Sequence, residues 1–224
     1  MPDPRVIKLV VFSDIREMDR AIEMCSTCPV KFEIEYRPYK LQPSLKEGQE
    51  FEKREWYESR FGKEKADVIH RTITTRGEQV GINFLFDGLI TQTTKAHRLL
   101  LKAWRIGGQE KQLPLLHALF KGYFEEALNM GDDAVLADAA AQTGVMPREE
   151  ALQFLQSEEC LVEVEQMMVD VRKKGVTGVP FVVIDGRWAV SGGQSAETYV
   201  QIFKKMSKSD VPPSPSPPQP TRAA

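Results

Sequence analysis

Residues 177–195 read TGVPFVVIDGRWAVSGGQS. Two short apolar runs flank Asp185-Gly186. An Asp-Gly pair between such runs is a strong hairpin signal, because a type I′ turn needs positive φ at both central residues. Two antiparallel strands are therefore predicted here. Directly after them, SAETYVQIFKKM places Tyr199, Ile202, Phe203 and Met206 at helical spacing,. Ser195 stands where an N-cap belongs,. The stretch thus predicts a hairpin that feeds a terminal helix.

Upstream of the hairpin the period changes. From about residue 45 to about residue 174 the pattern is helical,. EFEKREWYESRF, EKADVIHRTITTRGEQV and TTKAHRLLLKAWRI are amphipathic. LPLLHALFKGYFEEAL follows with Pro114 near its start, where proline is tolerated,. DDAVLADAAAQTG, PREEALQFLQS and CLVEVEQMMVDVRKKG complete a set of short helices. Glycines 107, 108, 131, 144 and 175 fall at their ends, as C-caps do,.

At the N-terminus, VIKLVVF (6–12) reads as a buried strand,. Ser13-Asp14 punctuates it, and Asp14 with Glu17 fits an N-cap and its capping-box partner,. Ile15, Met18, Ile22 and Cys25 then lie on one helical face, and Pro29 ends the helix,. KFEIEY points Phe32, Ile34 and Tyr36 to one side and Lys31, Glu33 and Glu35 to the other, as a half-buried strand does,. Strand-helix-strand, helices, then hairpin and helix assemble as one four-stranded sheet interrupted by a helical insertion. Beyond residue 210, VPPSPSPPQPTRAA has the composition of a solvated, disordered tail,.

Composition narrows the function classes. The 224 residues are 42% hydrophobic and 28% charged, which is ordinary for a globular chain,. A net charge of −2 offers no basic field for nucleic acid,. No apolar run is long enough for a bilayer, and the first residues lack the pattern of a secretory signal,. Three cysteines do not make a disulfide framework, so a cytoplasmic setting is expected,.

The 177–195 stretch resembles the C-terminal half of a DsbA-like thioredoxin domain of the FrnE type. FEIEYRPYKLQP, TTKAHRLLLKA and GYFEEALNMGDDAVLADAAAQTG resemble its second strand and its insertion. The likeness covers roughly residues 6–208, and Thr177-Gly178-Val179-Pro180 is its most specific piece. The wider group includes kappa-class glutathione transferases and 2-hydroxychromene-2-carboxylate isomerases. The resemblance implies an α/β, thioredoxin-like fold with a helical insertion between the N-terminal strand-helix-strand and the C-terminal hairpin-helix. The corresponding parts are residues 1–44, 45–174 and 175–209, with the tail at 210–224. It also implies a cis Val179–Pro180 bond beside the redox site, where backbone pairs with an extended thiol ligand.

One departure bears on activity. FrnE-like proteins carry Cys-Pro-x-Cys at the start of the first helix, where free N–H groups and the helix dipole stabilise a thiolate. Here no cysteine precedes Cys25. Cys25-Ser26-Thr27-Cys28 has the spacing of a redox motif and is the candidate catalytic pair, but it lies at the carbonyl-rich end of that helix,. A small core residue (Cys25) and a helix-end residue (Cys28) is the favoured reading. Zinc is not expected, because Cys160 is isolated and the histidines do not cluster,. Ser13 is read as a cap rather than a nucleophile.

The candidate ligand-binding residues are Thr177, Val179 and Pro180, His97 of an Ala-His-Arg pattern, and Gly193, Gln194 and Ser195. The last three open a helix whose N–H groups suit a carboxylate such as that of glutathione. Two functions compete. One is thiol-disulfide or glutathione-linked oxidoreductase chemistry on a small thiol or a disulfide-containing peptide. That reading expects no tightly bound cofactor, with glutathione as the candidate cosubstrate. The other is a catalytically degenerate module that binds a thiol, a peptide or a secondary metabolite. Neither nucleic acid nor membrane is an expected partner, and a homodimer is left open.

Overall fold

The computed structural model describes residues 5–12 and 15–207. The elements run β1 (Arg5–Phe12), α1 (Arg16–Met24), β2 (Val30–Tyr36), β3 (Glu50–Glu52), α2 (Lys53–Phe61), α3 (Lys63–Gln79) and β4 (Leu89–Thr91). Then come α4 (Thr94–Glu125), α5 (Asp133–Gln142), α6 (Arg148–Gln156), α7 (Leu161–Lys173), β5 (Phe181–Ile184), β6 (Trp188–Ser191) and α8 (Ala196–Ser207). The Ser13 and Asp14 caps and the proline-rich tail lie outside the described residues.

The described residues divide into two compact units, one made of those up to residue 35 together with those from 178 onward, the other of residues 36–177. The sequence placed the corresponding divisions at 44/45 and 174/175.

In the first unit the sheet order is β2-β1-β5-β6. β1 and β5 are antiparallel, with Leu9 opposite Ile184 and Val11 opposite Val182. These four side chains and Ile7 are buried, whereas Val6 is exposed and Val10 half-buried. From residue 6 to residue 11 the strand is therefore fully buried along one face only, and its cross-strand pairs stack on that face,. α1 contributes Met18, Ala21 and Cys25 to the core, and α8 contributes Tyr199, Val200, Phe203 and Met206. Phe32 of β2 packs on Phe203, ring centroids 4.8 Å apart.

The β5–β6 turn has positive φ at Asp185 (50°) and Gly186 (68°), as Asp-Gly predicts,. β1 holds this turn. The Asp185 N–H donates to Lys8 O (2.8 Å), and its carboxylate accepts from Lys8 N–H (2.9 Å) and Arg5 Nη2 (3.2 Å). Arg5 Nη1 also donates to Met206 O at 2.7 Å, near the end of α8.

The second unit is the helical insertion. Leu99, Leu115, Leu136, Ala140, Leu155 and Val164 form the centre of its core. The two helices expected on either side of residues 107–108 meet there at a break. Gly107 (φ −157°) and Gly108 (φ 58°) leave helical geometry inside α4. Asp132 caps α5 by accepting from Ala134 and Val135 N–H,. A two-stranded antiparallel pair, β3 with β4, lies within the stretch read as helical throughout.

Candidate functional site

The first unit brings three chain ends to one pole. β5 starts after a cis Val179–Pro180 bond. Pro180 O accepts from Gly192 N–H at 2.9 Å, so the residues leading into α8 begin beside the proline loop. Phe181 pairs with Phe12, the last residue of β1, and α1 begins four residues later. The first turn of α1 reaches the first turn of α8, where Glu17 Oε2 accepts from Ala196 N–H at 2.7 Å. Two helix N-termini and the proline loop therefore share this pole. Both dipoles present their positive ends, which suits an anion or a thiolate.

Gly193, Gln194 and Ser195 stand at this pole. Gly193 and Ser195 are exposed and Gln194 is half-buried. Ser195 O accepts from Thr198 and Tyr199 N–H, and Ser195 Oγ lies 3.3 Å from Thr198 N. The exposed Glu197 carboxylate is held below its usual range by its own N–H, then by the Ser195 hydroxyl. The N–H groups that could hold a ligand carboxylate thus already meet internal acceptors, Glu17 among them. The sequence by itself assigns Glu17 to a capping box within α1,. Nothing local distinguishes that use from a bond to a helix almost two hundred residues away.

Val179 and Pro180 are half-buried. Val179 lies in a bend, and among the described residues its backbone has no backbone hydrogen-bond partner.

Cys25 and Cys28 stand at the other pole. Cys25 is the C-cap of α1, and nine helical residues span about 13 Å. Burial, a hydrogen bond with Cys28 and the charge of Cys28 push the Cys25 thiol up to about 11, against a small lowering by Lys204 in the last turn of α8. Cys25 is 1% exposed and Cys28 half-buried. Sequence position and burial therefore agree in keeping this pair away from Pro180 and from helix N-termini.

Thr177 and His97 belong to the second unit. Thr177 is exposed. His97 Nδ1 donates to Thr93 O at 2.7 Å, so Nε2 is the basic nitrogen of the neutral ring,. Burial holds the imidazole below its ordinary value; the Thr93 bond opposes this and the charge of Lys40 adds to it. The neighbouring Arg98, 3% exposed, has a structural task. Its guanidinium donates to Phe154 O (3.1 Å), Ser157 O (2.5 Å) and Glu159 O (2.8 Å), closing the C-terminal end of α6,. No cluster of three or more His, Cys, Asp or Glu that could hold a metal occurs among the described residues.

The family model for the DSBA-like thioredoxin domain matches residues 11–204. The chain belongs to the DSBA-like thioredoxin domain family. No curated protein sequence matches this DSBA-like chain. Among solved structures it is similar to a probable DsbA oxidoreductase from Streptomyces coelicolor. The identity is 22%, the TM-score 0.77, and 92% of each chain is covered. A candidate protein disulfide isomerase from Nitrosomonas europaea follows at 17% identity and TM-score 0.63, covering 90% of this chain and 97% of the other. A 2-hydroxychromene-2-carboxylate isomerase matches at 11% identity and TM-score 0.60, covering 91% and 95%. At these identities the likeness is one of fold, and it supports the thioredoxin-like sheet with its helical insertion. Members of the DSBA-like family act on thiol or disulfide substrates and need no tightly bound cofactor. Among the described residues no helix is long and apolar enough to cross a membrane.

Proposed function

We propose that this DSBA-like protein carries out glutathione-linked chemistry in which the reacting thiol belongs to the small ligand. One observation carries the reading. No cysteine precedes Cys25, and the only C-x-x-C lies at the pole opposite Pro180, with its inner thiol pushed up to about 11. A thiol at that value is almost wholly protonated near neutral pH and is a poor nucleophile. The pole that keeps the proline loop and two helix N-termini favours a thiolate brought in from outside. Val179 offers backbone groups for an extended thiol, and Gly193, Gln194 and Ser195 flank it. The 2-hydroxychromene-2-carboxylate isomerase of similar fold supports chemistry other than disulfide exchange. A reducing, cytoplasmic setting suits three free thiols,. Small thiols or thiol-bearing peptides are the partners.

A second reading is a binding module without turnover. It draws on Glu17, whose carboxylate already occupies the Ala196 N–H. Three measurements separate the readings: calorimetric titration with glutathione, conjugation of glutathione to a model electrophile, and insulin reduction by dithiothreitol. Glutathione binding and conjugation that persist in the Cys25→Ser, Cys28→Ser double variant support the proposal. Binding without conjugation favours the module. Insulin reduction that disappears in Cys25→Ser protein returns the chemistry to the dithiol and overturns both. So does a transcript carrying extra in-frame codons, cysteine among them, between those for Phe12 and Arg16.

A further inference from the structure

The dithiol at the end of α1 has no part in the chemistry proposed for the opposite pole, yet it is assembled as a pair. Cys28 N–H donates to Cys25 O at 2.8 Å. That bond closes a turn and brings the two Cα atoms within about 7 Å, close to the range a disulfide spans. α1 has ended by then, with Cys25 as its C-cap, and Pro29 follows the pair at once. The two thiols differ in access. Cys25 is 1% exposed on the same inner face as Met18 and Ala21, while Cys28 is half-buried. The third thiol, Cys160, belongs to the other unit, where Arg105 Nη1 approaches its sulfur at 3.2 Å.

We infer that Cys25 and Cys28 form a disulfide with each other when the protein meets a low-molecular-weight disulfide such as oxidised glutathione. Cys28 is the entry thiol and Cys25 the resolving thiol. The order follows from burial, since Cys28 is half-buried whereas Cys25 is 1% exposed. In the first step the Cys28 thiolate attacks one sulfur of oxidised glutathione. The glutathione S–S bond breaks, a Cys28–glutathione bond forms, and one glutathione leaves as thiolate and takes up a proton. In the second step Cys25 gives up its proton, and its sulfur attacks Cys28 Sγ. The mixed disulfide breaks and the second glutathione departs with a proton. Two protein thiols are oxidised and one glutathione disulfide is reduced to two thiols. The result is a modification site at the pole away from the ligand loop, and it does not depend on the function proposed above.

The full chain is incubated with oxidised glutathione and denatured, and its free thiols are trapped with N-ethylmaleimide before intact-mass measurement and peptide mapping. The parent is expected to lose two of its three alkylatable thiols, to retain no glutathione, and to recover all three with dithiothreitol. Cys28→Ser protein should keep both remaining thiols, and Cys25→Ser protein should hold glutathione on Cys28. Cys160→Ser protein, with the pair intact, should still lose two thiols. Three trapped thiols in the parent, a glutathione adduct that persists there, or a disulfide that includes Cys160 would overturn the inference. Each result is read from thiol counts and is independent of any conjugation activity.

Discussion

Arg98 shows how one side chain can look functional and be structural. It follows His97 in the pattern that drew attention to both. Its guanidinium, 3% exposed, is spent on the carbonyls that end α6. Those carbonyls are orphans of the helix, and a buried cation is an effective partner for them. Replacing Arg98 by Met keeps most of the apolar volume and removes the donors. The expected loss is about 2–3 kcal/mol of unfolding free energy, read from urea denaturation. A loss within the noise of the parent would show that the carbonyls find other partners. The tasks of His97 and Arg98 were not separable in the sequence, because adjacent helical residues point in different directions and only packing says what each meets.

At the scale of elements, α1 and α8 are joined at their first turns by Glu17. The Glu17→Ala change removes a charge-assisted bond at a helix N-terminus, and about 1 kcal/mol of stability is expected to go with it. Chemical denaturation of the variant against the parent measures this. An unchanged midpoint would mean that Ser195 alone suffices to cap α8. α3 supplies a pH dependence. His70 stacks on Phe86 at 4.0 Å and meets the edge of Tyr57 at 5.4 Å, and its buried Nε2 has no hydrogen-bond partner. Burial, then the charge of Arg54, lower its proton affinity; Asp67 and Glu58 oppose this. The folded state therefore favours the neutral ring. The unfolded chain binds the proton near pH 6.5, so the contribution is whole above that value and is lost as pH falls below it through the lower value of the folded state,. His70→Phe keeps the stack and removes the proton site. Its stability relative to the parent should rise as pH is lowered from about 7 to about 5, as followed by thermal melts. A gap that stays constant with pH would show that His70 does not titrate in that window.

Across the whole molecule, the slowest amide exchange is expected in β1 and β5 around Leu9, Val11, Val182 and Ile184, and in α4 around Leu99 and Leu115, all at most 1% exposed,. Glu50, Phe51 and Glu52 of β3 are exposed and should exchange early. Hydrogen exchange with mass spectrometry gives both answers in one experiment, and protection of β3 equal to that of β1 would contradict the assignment. The same contrast explains what was legible beforehand. The Asp185-Gly186 hairpin, the Phe32-Ile34-Tyr36 alternation, the Tyr199-Phe203-Met206 stripe and the Gly107-Gly108 break are written in local spacing and turn chemistry. The β3–β4 pair was not, because three exposed residues carry no period and their partners lie almost forty residues away,.

The cysteines divide along the same line. Sequence alone determined that no thiol stands at the start of the first helix and that Cys25 and Cys28 stand at its end, because order along a helix is order in the chain. Tertiary structure alone decided that Glu17 reaches α8 and that Pro180 shares its pole with two helix N-termini. These are contacts between segments distant in the chain, and they come into being only when the apolar faces of the sheet and its helices are buried together.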